Sequence, residues 1–181
     1  MTPAEFAQAT GATLPRVTEH MHHIEHAMAV YDINTPARQA AFLSQIGHES
    51  GGLRWIKEIW GPTDTQRRYE MRADLGNNRP GDVFLYRGRG WIQLTGRDNY
   101  RRASQRLRER FPDVPDFEAD PDTVATARWA ALTAAEFWHN AGLNALADQG
   151  RYETITRRIN GGLNGYADRL ARYEDAKQAL A

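Results

Sequence analysis

The stretch Gly47-His48-Glu49-Ser50-Gly51-Gly52 decides the fold of this sequence, because it ends a predicted buried helix and places a carboxylate at that end. The helix begins at Thr35-Pro36, since threonine followed by proline at the first helical position is a helix start signal. Its apolar residues, among them Ala40 and Leu43, lie on one face at helical spacing. The two glycines end the helix, since each lowers helix propensity by about 1 kcal/mol relative to alanine.

The chain on both sides of this helix is also predicted to be mainly helical. Thr2-Pro3-Ala4-Glu5 has the pattern of a capping box, so a short helix begins at once, and a second helix runs from about Leu14 to Tyr31. Further apolar stripes at helical spacing are Tyr100 to Phe111, Val124 to Trp138, Tyr152 to Ile159 and Tyr166 to Ala176. No internal repeat or linker divides the sequence, which predicts one domain over residues 1–181.

The segment from Trp60 to Gly90 loses the helical pattern. Its glycines and prolines predict a long loop, with one short helix at about Gln66 to Asp74. Val83 to Tyr86 and Trp91 to Leu94 flank an Arg-Gly-Arg-Gly sequence and are predicted to pair as a hairpin. The predicted fold class is therefore mainly α, a single helical domain with a small β-hairpin near residues 83–95.

Composition excludes several classes of protein. Twenty-three Lys and Arg balance twenty-three Asp and Glu with the signs interleaved, so no basic stretch indicates a nucleic-acid partner. The absence of cysteine excludes disulfides and thiolate metal sites. No apolar run approaches the roughly 18 residues of a membrane span, and the N-terminus lacks the pattern of a signal peptide. We therefore expect a protein made in the cytoplasm, without stable membrane insertion.

Two glutamates are candidates for paired acid and base chemistry. Glu58 follows Glu49 by nine residues, and at about 100° per residue an unbroken helix would place the two side chains on opposite faces. The turn at Gly51-Gly52 allows both carboxylates to face one cleft. Glycoside hydrolysis needs such a pair, one group to protonate the leaving oxygen and one to activate water. From the spacing alone, two ordinary solvated glutamates are the favoured interpretation.

Four motifs in register resemble glycoside hydrolases of family 19. The first is the stretch of residues 47–52, and the second is Tyr86-Arg87-Gly88-Arg89-Gly90-Trp91-Ile92-Gln93-Leu94-Thr95-Gly96 with Asn99-Tyr100. Ile159-Asn160-Gly161-Gly162 is similar to the third landmark of the family, and Arg169 with Tyr173 resembles its closing helix. The nine-residue gap between the glutamates and the lack of cysteine resemble the bacteriophage endolysin (lysozyme-like) branch more than the related plant-type chitinases.

The resemblance implies a lysozyme-like or chitinase-like helical fold and an inverting mechanism. Glu49 matches the general acid, Glu58 the general base, and Thr95 the hydroxyl residue that helps to hold the attacking water. Inversion needs room for that water, so the two carboxyl groups should lie roughly 6.5–9.5 Å apart. No cofactor and no metal ion are implied.

The resemblance also implies a set of substrate-binding residues. Gln93 and Asn99 match residues that hydrogen-bond N-acetyl sugars, and Asn160 matches an asparagine of the opposite wall. Tyr86 is a candidate cleft aromatic, with burial in the core as the alternative. Arg169 matches an arginine that supports the base carboxylate, so it is expected to pair with Glu58, with a surface salt bridge as the alternative.

Two interpretations of another class remain open. His22, Glu25 and His26 fit the short pattern H-x-x-E-H, so His22 and His26 could share a zinc ion in a peptidase. Because Ile24 lies on the apolar stripe, those histidines are expected on the solvated flanks of their helix. A sugar-binding module without catalysis is the other interpretation, although a binder has no need of the glutamate pair.

The expected substrate is bacterial peptidoglycan, with chitin oligomers as the alternative. Both contain β-1,4-linked N-acetyl sugars, and which peptidoglycan bond is cut stays open. The endolysin resemblance implies a monomeric enzyme, with a single catalytic domain and no separate wall-binding domain, that lyses the host cell. It would act on the periplasmic cell wall after release by a holin-type membrane-permeabilising partner.

Overall fold

The structure is a computed structural model that describes residues 1–181. It contains ten α-helices joined by loops: α1 (Pro3–Thr10), α2 (Leu14–Val30), α3 (Pro36–Glu49), α4 (Asp64–Arg67), α5 (Asp82–Leu85), α6 (Arg97–Arg108), α7 (Ala127–Asn140), α8 (Leu143–Asp148), α9 (Tyr152–Asn160) and α10 (Tyr166–Ala179). Two short 3₁₀ helices lie at Ala73–Leu75 and Pro121–Ala125. None of the helices is long and apolar enough to span a lipid bilayer. The predicted mainly helical, single-domain fold is confirmed.

The predicted helix starts are confirmed at the first and third helices. At α1 the Thr2 hydroxyl accepts from the Glu5 amide at 3.3 Å, and the Glu5 carboxylate accepts from the Thr2 amide at 2.7 Å. At α3 the Thr35 hydroxyl accepts from the Arg38 amide at 3.3 Å. These contacts pair backbone N–H groups that a helix leaves unsatisfied at its first turn.

Helix α3 lies at the centre of the molecule. Its residues from Ala40 to Gly47 are all buried, and it packs against α1, α8 and α10. Gly47 allows the close approach of α1, because a Cβ atom at this position would lie 2.4 Å from the carbonyl oxygen of Thr10. On the other side of the core, α7 packs against α2 and α6. The end of α3, and with it Glu49, is therefore fixed by packing on several sides.

The predicted hairpin near residues 83–95 is reduced to one bridge, between Arg89 and Leu94, and neither of its predicted arms forms a strand. Residues 82–85 form helix α5, whose first residue Asp82 accepts the amides of Asn78 and Arg79 at 3.0 Å each and pairs with Arg97. Phe84 and the residue after it are both exposed, so the alternation that a half-buried strand needs is absent. The only β-type pairing is two isolated antiparallel bridges, from Arg89 to Lys57 and to Leu94.

The remaining differences concern short helices. The loop from residue 60 to residue 90 carries three short helical turns instead of the single one predicted at about Gln66 to Asp74. Helix α8 was not predicted, because six residues give too few apolar repeats to establish a period.

Candidate active site

Glu49 is held at the end of α3 by a buried arginine. The Arg169 guanidinium donates from Nη2 to Glu49 Oε1 at 2.5 Å and from Nη1 to Gln45 Oε1 at 2.5 Å. The Arg169 side chain is 2% exposed, and that of Glu49 is 19% exposed. Gln45 and Glu49 lie four residues apart and therefore share one face of α3. One guanidinium thus orients both side chains through its two terminal nitrogens.

A layer of buried polar contacts fixes Arg169 in turn. The Tyr152 hydroxyl donates to the Arg169 carbonyl oxygen at 2.9 Å and lies 2.9 Å from the Ser44 hydroxyl. Burial raises the pKa of Tyr152, so this phenol stays neutral and keeps its proton as a donor. Gln45 completes the layer by donating to the Thr156 hydroxyl at 2.8 Å. The candidate acid therefore rests on contacts from α3, α9 and α10.

Glu58 is held by a different part of the chain. Its Oε1 accepts from the Gln66 side-chain amide at 2.9 Å, and its Oε2 accepts from the Gly88 backbone amide at 3.0 Å. The Glu58 amide donates back to the Gly88 carbonyl oxygen at 2.9 Å. Gln66 is 6% exposed and also accepts from the Thr63 amide at 2.7 Å, which closes a capping box at α4. The candidate base therefore has a defined orientation.

A cleft of about 530 Å³ opens beside Glu58. Glu58, Gln93, Thr95 and Asn99 all line it, so the structure brings together four of the residues expected in the site. The Asn99 amide donates to the Thr95 carbonyl oxygen at 2.7 Å, and the Thr95 hydroxyl donates to the Gln93 carbonyl oxygen at 2.8 Å. The Thr95 hydroxyl oxygen keeps lone pairs that can accept from a water molecule.

Glu49 and Asn160 lie outside the residues that line this cleft. Asn160 is the last residue of α9, half-buried, and its amide nitrogen is 3.5 Å from the Asn164 carbonyl oxygen. Its neighbour Ile159 does line the cleft. The end of α9 therefore contributes to the wall through Ile159.

Two expectations about individual residues are wrong. Tyr86 is 2% exposed, donates its hydroxyl to the Glu118 carbonyl oxygen at 3.0 Å and packs edge-on against Tyr100, so it belongs to the core. Arg169 bonds to Glu49 and not to Glu58, because α10 packs directly on α3 while Glu58 is bound by Gln66 and Gly88.

Sequence reasoning missed several groups that shape the site. Gln66 orients Glu58, and its Thr-x-x-Gln capping-box pattern with Thr63 was a signal that could have located the helix start. Arg102 and Arg106 line the cleft from the same helix, α6, as the motif residue Asn99, and Glu136 lines it from α7. Burial raises the pKa of Glu136 to about 7, and the nearby Arg106 guanidinium opposes that rise. No sequence motif marks these three residues.

The histidine pattern on α2 lies outside the cleft. His22 and His26 are exposed, whereas Ile24, which belongs to the apolar stripe of the helix, is buried. No group of three or more His, Cys, Asp or Glu side chains lies close enough together to hold a metal ion.

The fold and the site define a class of protein. A glycoside hydrolase requires two carboxyl groups, and the structure holds two individually oriented glutamates, of which Glu58 lines a cleft with amide and hydroxyl side chains. The comparisons with known proteins agree with this class.

The chain belongs to glycoside hydrolase family 19. A Haemophilus influenzae protein described as a glycosyl hydrolase family 19 domain-containing protein is 36% identical over 164 residues, covering 75% of this chain and 76% of that protein. An Arabidopsis thaliana endochitinase is 35% identical over 123 residues, covering 68% of this chain and 39% of the relative. The chain thus spans less than half of that plant protein. A scan against models of known protein families gives no match.

Solved structures show the same fold. A bacterial family 19 chitinase superposes with a TM-score of 0.75 and 24% identity, covering 99% of this chain and 94% of that chain. Chitinase C from Streptomyces griseus gives a TM-score of 0.74 and 22% identity, covering 99% of this chain and 76% of that chain. The chitinase-like helical fold expected from the sequence is therefore confirmed, and the protein is a family 19 glycoside hydrolase.

Proposed function

We propose that this enzyme is an endolysin-type hydrolase that cleaves the β-1,4-linked N-acetyl sugar backbone of bacterial peptidoglycan. The observation that carries the proposal is the setting of Glu58 in the cleft with Gln93, Thr95 and Asn99. Amide and hydroxyl groups suit a substrate whose polar groups are acetamides and hydroxyls, because each can pair with a donor or an acceptor.

Glu58 acts as the general base in this proposal. Each of its oxygens accepts one N–H group, from Gln66 or from Gly88, and each keeps a lone pair for a further hydrogen bond. The carboxylate can therefore take a proton from a water molecule that the Thr95 hydroxyl helps to hold. That water attacks the anomeric carbon in a single displacement, which inverts its configuration.

Glu49 acts as the general acid. Only its Oε1 is hydrogen-bonded within the protein, to Arg169, so Oε2 remains available for the oxygen of the leaving sugar. A rigid donor is useful here because proton transfer depends steeply on the position of the acid. Arg169 is a positioning residue in this scheme, since it touches Glu49 and Gln45 and does not line the cleft.

Chitin hydrolysis is a second candidate, because an endochitinase and family 19 chitinases are among the similar proteins. Peptidoglycan is favoured by the short nine-residue gap between Glu49 and Glu58. In the cell, the enzyme would reach the periplasmic wall through a membrane permeabilised by a holin-type partner and would cause lysis as a monomer. Expression with and without such a partner tests this part, since lysis without it would contradict the route.

The test is digestion of purified Gram-negative sacculi by the wild-type enzyme and by Glu49→Gln. Disaccharide-peptide fragments from the wild type alone, identified with their new reducing ends by mass spectrometry, would support the glycosidase and show which bond is cut. Glu153→Gln is a matched control, because it makes the same change on an exposed face of α9. Cleaved peptides on intact glycan strands would refute the glycosidase.

Substrate choice is decided by a parallel reaction. Neutral N-acetylglucosamine oligomers are incubated with the same three proteins, and the anomer released first is identified by NMR. Cleavage of the oligomers without cleavage of sacculi would overturn peptidoglycan in favour of chitin. Release of the β-anomer first would contradict inversion, since a single displacement at a β-linkage yields the α-anomer.

A further inference from the structure

One wall of the cleft carries two arginines whose ion pairs within the protein are long. Asn99, Arg102, Ala103 and Arg106 line the cleft from α6, and their spacing of three and four residues places them on one face of that helix. The Arg102 and Arg106 side chains are 56% and 46% exposed. The same helical face that presents the sugar-binding candidate Asn99 thus continues into two guanidinium groups.

These two guanidiniums have free hydrogen-bonding capacity. Arg102 forms an ion pair with Asp98 at 3.8 Å, and Arg106 forms one with Glu136 at 3.6 Å, but both distances are longer than a hydrogen bond. By contrast, Arg101 on the same helix donates to Glu118 at 2.7 Å. A guanidinium has five N–H donors in a fork that matches a carboxylate, so Arg102 and Arg106 are equipped to bind one.

Glu136, the ion-pair partner of Arg106, offsets only part of the charge of this wall. Glu136 on α7 is 4% exposed and accepts from the Asn140 side-chain amide. Its pKa is raised to about 7 by burial, so its carboxyl group carries only part of a negative charge near neutral pH. The sequence as a whole has a formal net charge of zero, so this cationic wall is a local feature and not the result of a basic protein.

We infer that Arg102 and Arg106 form a subsite for the carboxylates that peptidoglycan carries on its lactyl-peptide substituents and that chitin lacks. The inference rests on the proposed function, because it assigns the charged part of the substrate to the same cleft. A glycan strand bound by its N-acetyl groups at Gln93 and Asn99 would present its substituents along α6. Arg102 and Arg106 are specificity-determining residues in this assignment.

The test compares substrates that differ in charge. The double variant Arg102→Gln with Arg106→Gln is assayed on peptide-bearing glycan fragments and on neutral N-acetylglucosamine oligomers. We expect kcat/KM on the peptide-bearing substrate to fall about 10-fold or more, mainly through KM, as for loss of charge-assisted hydrogen bonds. On the neutral oligomers kcat/KM should stay within about twofold, which also shows that the variant is folded.

The matched control is Arg151→Gln with Arg157→Gln, which removes the same charge from exposed positions outside the cleft. Added salt should slow the wild type and this control on the charged substrate more than the cleft variant, because salt screens exposed charges. Equal activity of the cleft variant and wild type on both substrates would overturn the subsite and leave the proposed function intact. Failure of the wild type on all peptidoglycan fragments would overturn the proposed function and the subsite together.

Discussion

Glu136 gives a quantitative prediction about stability and pH. Its carboxyl group is 4% exposed in the wall between α6 and α7, and desolvation raises its pKa from 4.5 to about 7, with a smaller contribution from Glu109. In the unfolded chain the group titrates near its ordinary value. Below pH 4.5 the group is neutral in both states, so folding carries no penalty from it.

The destabilisation caused by Glu136 appears as the pH rises from 4.5 to about 7. Between pH 4.5 and pH 7 the unfolded chain loses the proton first, so the folded state becomes progressively less stable, and above pH 7 the penalty is constant. The difference between 4.5 and about 7, at about 1.4 kcal/mol per pH unit, corresponds to about 3 kcal/mol at most. Glu136→Gln removes the ionisable group and keeps an oxygen that can accept from Asn140.

The assay is urea unfolding of wild type and Glu136→Gln at pH 4, 6 and 8. The free energy of unfolding of the variant, relative to wild type, should increase by about 2–3 kcal/mol between pH 4 and pH 8. Other titrating groups affect both proteins equally and cancel in this difference. The exposed control Glu153→Gln should change by less than about 0.5 kcal/mol. The same relative stability of Glu136→Gln at pH 4 and pH 8 would refute the desolvation of Glu136.

Three further substitutions test the contacts that hold the site. Arg169→Met leaves Glu49 without its buried partner, so the free energy of unfolding should fall by about 3–5 kcal/mol and hydrolysis should be lost. A urea midpoint equal to that of the wild type would contradict this. Gln66→Met removes a donor to Glu58 and should lower kcat roughly 10- to 100-fold with a smaller change in KM, which steady-state kinetics would measure. Gly47→Ala puts a Cβ atom 2.4 Å from a carbonyl oxygen of α1 and should destabilise by about 1–3 kcal/mol; an unchanged thermal midpoint would show that α1 shifts freely.

The helices were largely predictable because their start signals and apolar periods are local. The Thr2 and Thr35 caps form in the structure as the sequence predicted. The hairpin was wrong because the apolar residues 83–86 fit either a strand or a helix. The Asp82 carboxylate fixes the turn that leads into the helix by accepting the amides of Asn78 and Arg79. Such a competition is settled by one buried ion pair with Arg97, fifteen residues away, which no local pattern contains.

The candidate site was predictable only where its residues are adjacent in the chain. Gln93, Thr95 and Asn99 lie within seven residues, so a motif could place them in one cleft wall. Arg169 is 120 residues from Glu49 in the sequence. The helical period does not show whether the arginine of such a distant helix will pair with Glu49 or with Glu58. The error over its partner is therefore an error about helix packing and not about chemistry.

The polar residues inside α3 and α7 suggest how the missed groups could be found. Ser44 and Gln45 are fully buried in α3, at positions where the helical period predicts apolar side chains. Both belong to the layer of polar contacts that fixes Arg169. Glu136 interrupts the buried face of α7 in the same way, and it lines the cleft. Burying such groups costs free energy unless partners satisfy them, and Ser44 and Gln45 have partners in Tyr152, Thr156 and Arg169. Both interruptions lie in helices that form the site, but Thr10 in α1 and His20 in α2 are buried polar residues outside the cleft. A polar exception to the apolar period therefore selects candidate site residues and does not identify them on its own.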